Sequence, residues 1–157
     1  MSSKSSGDGI KVVTTNRKAR HDFELLTTYQ AGIVLMGSEI KSIRANRVSL
    51  GEGFIQERDN ELWLMGVHIA TYDPAKTFGH VDPLRPRKLL LHRKEINQIM
   101  TSIREISYTA VPVKLYLERG RAKVEIAVAR GKKQYDKRQD IAKRDAERQI
   151  RRAIKER

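Results

Sequence analysis

The sequence predicts a mainly β protein, a closed or nearly closed antiparallel barrel of about six strands with two to three helices at its side. Short apolar runs are separated by turn residues and do not alternate with helices, which favours antiparallel pairing. A long segment near the C-terminus pairs with itself in one register, and the composition changes after Gly131. These patterns leave an open α+β sheet as the alternative.

The chain divides into a disordered segment at 1–12, a core at 13–130 and a basic tail at 131–157. The first segment is rich in Ser and Gly, which cannot form a core. The tail carries 11 Lys and Arg against 5 Asp and Glu, with no Leu, Val, Met, Phe or Trp. Its helical pattern is marginal in isolation, so we expect it to be disordered or fraying alone and helical on a polyanion.

The first part of the core contains a strand, a short helix and a hairpin. Tyr29–Leu35 has strand character, and Ser38 can cap a short helix that ends near Asn46. Asp59–Asn60 suits a two-residue hairpin turn with Arg58 opposite Glu61.

The next segments are a buried strand, a loop and the clearest helix. Leu62–Met65 is apolar throughout, so we expect burial on both faces, and the three prolines of residues 70–88 indicate a long loop. Apolar residues at spacings of three and four then predict one helix with a stripe that packs on the core. The stripe consists of Ile96, Ile99, Met100, Ile103 and Ile106.

The second hairpin turns at Arg119–Gly120. Its apolar and charged patterns agree on one register, which is strong support for that register. Pro112 has no N–H group, so the start of the first strand is expected at an edge. The predicted pairs are Glu118–Arg121, Leu117–Ala122, Tyr116–Lys123, Leu115–Val124, Lys114–Glu125, Val113–Ile126 and Val111–Val128.

Charge indicates the class of partner. The 157 residues include 32 Lys and Arg and 19 Asp and Glu, a formal net charge of +13, which favours RNA, DNA or an anionic membrane surface. The absence of cysteine excludes disulfides, zinc knuckles and thiol catalysis. No apolar run is long enough for a membrane span or a signal peptide, so we expect a soluble cytoplasmic protein.

Catalytic chemistry is not indicated. No nucleophile motif, zinc-protease motif or phosphate-binding loop occurs, and His68 and His80 have only weak metal-ligand spacing. We therefore expect no enzyme activity, no cofactor and no metal.

Four basic stretches are candidates for polyanion binding. The first contains Arg17, Lys18, Arg20 and His21, where Asn16 and His21 could read base edges or stack, and a solvated arm is the alternative. The second holds six cationic or imidazole groups, namely Arg85, Arg87, Lys88, His92, Arg93 and Lys94.

The third candidate is the outer face of the second hairpin, where Tyr116 lies between Lys114 and Lys123. An aromatic ring between lysines suits base stacking, and ordinary cross-strand pairing is the alternative. The fourth candidate is the tail itself.

Several of these stretches also carry a family resemblance. The segments are "NRKARHDF", "AGIVLMGSEIKSIRA", "DPLRPRKLLLHRKEI", "GRAKVEIAVARGKKQYDKR" and the basic tail. Together they resemble the SmpB (small protein B) family of bacterial tmRNA-binding proteins, in the family's order and over nearly the whole chain beyond the first dozen residues. "RPRKLLL" together with "ARGKKQYDKR" is the most specific part of the match.

The resemblance implies an oligonucleotide-binding (OB) type β-barrel and a role in trans-translation, the rescue of ribosomes stalled on messages without a stop codon. It implies that the barrel binds the tRNA-like domain of tmRNA and that elongation factor Tu accompanies the complex to the ribosomal A site. The tail would then fold as a helix in the empty decoding centre and mRNA channel. No membrane partner is implied. A structural ribosomal protein or a general single-strand RNA-binding protein is the alternative.

The resemblance also assigns residues. Many family members have Glu where this chain has Gln30. A glutamate only accepts hydrogen bonds, whereas the glutamine accepts with its oxygen and donates with its nitrogen. Tyr135 is suited to stacking on a ribosomal RNA base. The tmRNA-binding set is Asn16, Arg17, Lys18, Arg20, His21, Gln30, Arg87, Lys88, Leu90 and Lys123. The ribosome-binding set in the tail is Gly131, Lys132, Lys133, Tyr135, Asp136, Lys137, Arg138, Lys143 and Arg144.

Overall fold

The computed structural model describes residues 9–71, 81–132 and 134–155, and in the last range it gives the side chains of Ala142 and of residues 144–153. Its first strand begins inside the segment predicted to be disordered, so the folded part starts before residue 13. The elements are β1 Ile10–Thr15, α1 Arg17–Asp22, β2 Phe23–Ile33, α2 Gly37–Arg44, β3 Val48–Ser49, β4 Phe54–Arg58, β5 Glu61–Met65, β6 His68–Ile69, β7 Arg87–Leu90, α3 Arg93–Ile103, β8 Tyr108–Glu118, β9 Arg121–Gly131 and α4 Gln134–Lys155.

Seven strands form one antiparallel sheet in the order β1-β8-β9-β2-β7-β5-β4, and β3 pairs separately with β6. This confirms the mainly β, antiparallel class. The sheet is not a closed barrel, because β1 and β4 remain its edge strands among the described residues, although β4 curls round to pack against β8. The same residues contain nine strands rather than about six. The strands β3 and β6 have two residues each, too few to show an alternating pattern.

The core lies between the inner face of the curled sheet and one stripe of α3. Ile96, Ile99 and Met100 are buried as predicted, whereas Ile106 lies beyond the end of the helix and is fully exposed. Ile103 is partly buried against the same cluster. Fully buried side chains from α2, the strands and the loops around the stripe include Ile43, Leu50, Leu62, Leu64, Leu89, Leu115 and Ile126.

The hairpin of β4 and β5 has the predicted turn and register. Asp59 and Asn60 both have positive φ angles, 53° and 61°, and Arg58 pairs with Glu61. The expected burial of β5 on both faces is wrong. Its leucines are fully buried, but Trp63 is only half-buried, since one side of the strand faces outward below the guanidinium of Arg58.

The β8–β9 hairpin keeps the predicted register from its turn to the Lys114–Glu125 pair. A β-bulge at Val113 then shifts the pairing, so Pro112 rather than Val113 lies opposite Ile126. The Val113 carbonyl accepts a hydrogen bond from the Asn16 N–H at 2.7 Å instead. The ladder between β1 and β8 ends at Lys114. Among the described residues, the start of β8 therefore has no strand beside it on the β1 side, as the proline predicted.

Three local boundaries differ from the predictions. The strand predicted at Tyr29–Leu35 is the second half of β2, and α2 begins with Met36, not Ser38, at its N-cap position. The loop predicted for 70–88 ends at Pro86 because β7 follows, and residues 72–80 lie outside the described ranges. Asn46 ends α2 with a φ of 61°, as predicted.

The position of α1 is set by the side chain of Asn16. Its Oδ1 accepts the N–H of Ala19 at 3.0 Å and caps the helix. Its Nδ2 donates to the carbonyl oxygens of Pro112 at 2.9 Å and Leu50 at 3.3 Å. The side chain is buried and uses both ends of its amide, so it joins α1 to β8 and to the loop before β4.

Replacing Asn16 with Ala should lower the free energy of unfolding by about 2–3 kcal/mol, because it removes a helix cap and leaves two buried carbonyls without their donor. Urea denaturation followed by circular dichroism measures this change. Asn97→Ala on the exposed side of α3 is the matched control, and its effect should stay within about 0.5 kcal/mol. Similar losses in both variants would contradict a structural role for Asn16.

Candidate nucleic-acid interface

The outer face of the main sheet is covered in part by α1. Ala19 on the inner side of this helix packs with Val111 and Ala129 of β8 and β9. No described helix covers the half of these strands nearer their turn. We call this surface the open face: the outward side chains of residues 114–125 on β8 and β9, with their neighbours on β1, β2 and β7.

A row of direct cross-strand neighbours crosses the open face. Its members are Val12, Tyr116, Lys123, Gly32 and Leu90, one from each of five adjacent strands. Val12 and Leu90 are 48% and 52% exposed, which is high for apolar side chains. A Cβ at Gly32 would lie 3.3 Å from that of Leu90, so the glycine keeps the surface flat. A flat apolar strip beside an ammonium group can hold a nucleobase and its phosphate.

Tyr116 does not have the role in stacking that its position between lysines predicted. Its side chain is 5% exposed, and its hydroxyl donates to Oε1 of Gln30 at 2.5 Å. The amide nitrogen of Gln30 donates in turn to Oε1 of Glu125 at 3.0 Å. Burial raises the pKa of Tyr116, with a smaller opposing effect from the charge of Lys123, so the phenol stays protonated and can donate.

Two lysines at or beside the open face are paired with carboxylates. Lys123 forms an ion pair with Glu118 at 3.0 Å, and Lys18 on α1 forms one with Glu52. The hydrogen bond and the charge of Glu52 raise the pKa of Lys18, so it stays cationic. The Lys18 pair is solvent-exposed and the Lys123 pair is partly exposed, so both are weak enough for an RNA phosphate to replace the carboxylate.

Comparisons with known proteins identify the family of this chain. The family model described as "SmpB protein" matches residues 13–156. This chain belongs to the SmpB family. The SsrA-binding protein of Roseiflexus castenholzii is 56% identical over 152 residues, with 96% of each chain covered. That of Chloroflexus aggregans is 57% identical over 148 residues, with 94% of each covered.

A solved structure, "tmRNA-SmpB: a journey to the center of the bacterial ribosome", contains a similar chain. It superimposes with a TM-score of 0.65 and is 46% identical in sequence. The match covers 77% of this chain and 85% of that one.

Four residues that the family resemblance assigned to tmRNA binding come together on the open face. Gln30, Leu90 and Lys123 lie on its central strands, and Lys88 lies outward on β7, opposite Trp63. The sequence reasoning did not single out Val12 or Gly32 for this surface. Their assignment depends on which strands are neighbours in the sheet, which single-strand patterns do not give.

The cations of α1 border the open face because the helix lies on the same side of the sheet. Arg17 and Arg20 are exposed, and Lys18 is exposed beside Glu52. His21 is half-buried, with its Nδ1 at 3.0 Å from the Asp22 carboxylate. The basic cluster therefore extends the open face rather than forming a loose arm.

Two residues of the predicted tmRNA-binding set are structural. Asn16 has its side chain buried in the contacts that hold α1, so it is not free to read a base. Arg87 is fully buried and donates to Glu39, to the carbonyl of Val67 at 2.6 Å and to that of Pro83 at 2.9 Å. Arg85 also donates to Glu39. The basic stretch around them therefore holds the chain before β7 against α2.

The tail starts at the end of β9, beside α1. Gly131 pairs with Phe23, and Lys132 donates its N–H to Asp22 and its ammonium to the carbonyl of Arg20. Arg144 is exposed, like every other described side chain of α4. Lys133 lies outside the described residues, as do the side chains of Tyr135, Asp136, Lys137, Arg138 and Lys143, whose backbone is helical.

The described part of the chain contains neither a metal-binding cluster nor a membrane-spanning helix. No group of three or more His, Cys, Asp or Glu side chains there could hold a metal ion. None of the helices in those residues is long and apolar enough to cross a membrane.

The buried ion pair of Glu39 and Arg87 predicts a dependence of stability on pH. Burial raises the pKa of Glu39, but hydrogen bonds from Arg85, Met36 and Arg87 outweigh it, and the net pKa lies below the ordinary value of 4.5. Because the folded state has the lower pKa, the ionised carboxylate stabilises the fold above pH 4.5. This contribution is lost as the pH falls through the folded pKa.

Glu39→Gln should therefore lower the free energy of unfolding by about 3 kcal/mol at pH 7 and by progressively less below pH 4.5. Urea titrations across this pH range measure both effects. Glu61→Gln, which removes an exposed ion pair with Arg93, is the control and should cost less than about 1 kcal/mol. A loss for Glu39→Gln that stays constant down to pH 3 would contradict the linkage.

Proposed function

We propose that this protein binds tmRNA and acts with it in trans-translation on the ribosome. The observation that carries the proposal is that the SmpB family model spans both the core and the tail, residues 13–156. The match to the family therefore covers both parts that a rescue factor needs, an RNA-binding surface and a basic helix. This function requires no catalytic group in the protein, and the protein would act in the cytoplasm, where ribosomes are found.

We propose the open face and the exposed cations of α1 as the site for the tRNA-like domain of tmRNA. Leu90 and Lys123 supply apolar contact and charge on the sheet, and Arg17, Lys18 and Arg20 supply charge beside it. The core at 13–130 is then the tmRNA-binding unit. We also propose that its sheet corresponds to an OB-type barrel that stays open, since β4 packs against β8 without completing the ladder.

We propose α4 as the ribosome-binding element. Its described side chains are all exposed, so this helix has no packing partner in the protein itself along that stretch. A helix of this charge gains a surface to pack on when it lies against ribosomal RNA. In this proposal tmRNA and elongation factor Tu bring the protein to the A site, and the tail at 131–157 enters the decoding centre and the mRNA channel.

Lys18→Ala should weaken binding to the tRNA-like domain several-fold, because one phosphate contact is lost. The slope of log K against log salt concentration (the salt slope) should fall in magnitude by about 1 for the same reason. Arg104→Ala is a matched control. Both side chains are exposed cations paired with a glutamate, and Arg104 pairs with Glu57 away from the open face. Fluorescence anisotropy at several salt concentrations gives both quantities. Equal effects of the two variants would place the RNA elsewhere.

Truncation after Gly131 should leave tmRNA binding nearly intact and abolish tagging of stalled peptides. The truncated chain keeps β9 and its ladder with β2, so the core retains its sheet. Binding is measured by anisotropy, and tagging in a reconstituted translation reaction with a message that has no stop codon. Loss of both properties together would argue against two separate units.

A preference for the tRNA-like domain over an unrelated RNA of equal length separates this function from general RNA binding. Affinities are compared at moderate salt concentration, where phosphate contacts that do not depend on RNA sequence are weakened. Equal affinities would favour a structural ribosomal or general single-strand RNA-binding protein.

A further inference from the structure

The open face is not simply a cationic patch. On β8 and β9 two carboxylates, Glu118 and Glu125, lie among its three cations, Lys114, Arg121 and Lys123. The whole chain, in contrast, carries a net charge of +13. A surface built only to hold phosphates would not place carboxylates among its cations, since they repel the RNA backbone. The two carboxylates at this site therefore require another explanation.

Glu125 is held in a fixed hydrogen-bond chain. An ionised carboxylate only accepts hydrogen bonds, so the nearby Gln30 must turn its amide nitrogen toward it. The amide oxygen of Gln30 then faces Tyr116, whose hydroxyl must be the donor. The buried tyrosine thus sets the direction of the glutamine, and the glutamine sets the position of the carboxylate.

This chain leaves one oxygen of Glu125 without a hydrogen bond from the described residues. Its Oε1 accepts from Gln30, and its Oε2 stays available. A phosphate offers no donor to that oxygen and is repelled by it. Nucleobases do offer donors, namely the amino groups of adenine, cytosine and guanine and the imino groups of guanine and uracil.

The neighbours of Glu125 fit a base and its phosphate. Lys123 lies two residues along the same strand and points to the same side, about 7 Å away. Gly32 lies opposite Lys123 and leaves the surface flat as far as Leu90. A nucleotide on this surface has an acceptor near its base edge and a cation near its phosphate.

We propose that Glu125 reads a base of the bound RNA, by accepting a nucleobase N–H at its free oxygen, and that Gln30 and Tyr116 act as positioning residues. This inference rests on the proposed function of the open face. It separates two roles on one surface: the cations give affinity that depends on salt, and Glu125 gives selectivity.

The test is Glu125→Gln, because the change is nearly isosteric and has a predictable effect. The amide oxygen of the new glutamine still accepts from Gln30, so its amide nitrogen faces the base. This nitrogen is a donor, and it cannot accept the hydrogen bond that the base N–H offers. Affinity for the tRNA-like domain of tmRNA should fall about tenfold. Its salt slope should stay unchanged, since no phosphate contact is lost. Affinity for an unrelated hairpin RNA of equal length should not fall.

The expected loss runs against simple electrostatics, since removing a negative charge favours binding of any polyanion. Glu105→Gln is the matched control, because Glu105 is exposed in the turn after α3. It should leave affinity for both RNAs unchanged or slightly higher. Gln30→Ala should give a smaller loss than Glu125→Gln, with the same salt slope. An unchanged affinity for Gln30→Ala would remove its positioning role.

Two results would overturn the inference, and they are distinguishable. If Glu125→Gln binds the tRNA-like domain as tightly as the wild type or more tightly, while Lys123→Ala weakens binding, the face binds RNA but Glu125 does not read it. If neither variant changes the affinity, the open face is not the interface and the proposed site fails with it. Thermal unfolding of each variant shows that the fold is retained.

Discussion

The arrangement of this protein depends on one buried amide, the side chain of Asn16. It caps α1, reaches the carbonyl of Pro112 and ties both to the loop at Leu50. The β-bulge at Val113 also directs the Val113 carbonyl toward the backbone N–H of Asn16. A helix of only six residues has little stability of its own, so these contacts determine where its cations lie. The basic border of the open face is thus a consequence of polar contacts in the interior.

Density of charge proved a poor guide to where the cations point. The stretch "RPRKLLLHRK" is among the most basic in the core, yet Arg87 is fully buried and Arg85 shares its acceptor. A buried arginine needs several acceptors at once, and Glu39 lies 48 positions away in sequence. No local pattern shows that such a partner exists. Lys88 and Leu90, on the same strand, do face outward, because alternation along a strand is local.

The parts of the fold that sequence predicted are those set by neighbours along the chain. The β8–β9 register, the Asp59–Asn60 turn and the buried stripe of α3 all follow from local periodicity or turn chemistry. The bulge at Val113 does not follow from local pattern, since the Val113 carbonyl bonds to Asn16, which lies 97 residues earlier in the chain. The family resemblance supplied most of the candidate site, and the structure separated its surface residues from Asn16 and Arg87, which hold the fold. The partners of Glu125 could be recognised only once β2 was placed beside β9.

The attachment of α4 has a geometric consequence. Its 22 residues, at 1.5 Å each, form a rod of about 33 Å. The rod begins two residues after Lys132, which is fastened to the end of α1 by its backbone and its ammonium group. The number of helical residues therefore sets how far from this attachment the free end of α4 can lie. Inserting or deleting one helical turn would change this reach by about 5.4 Å.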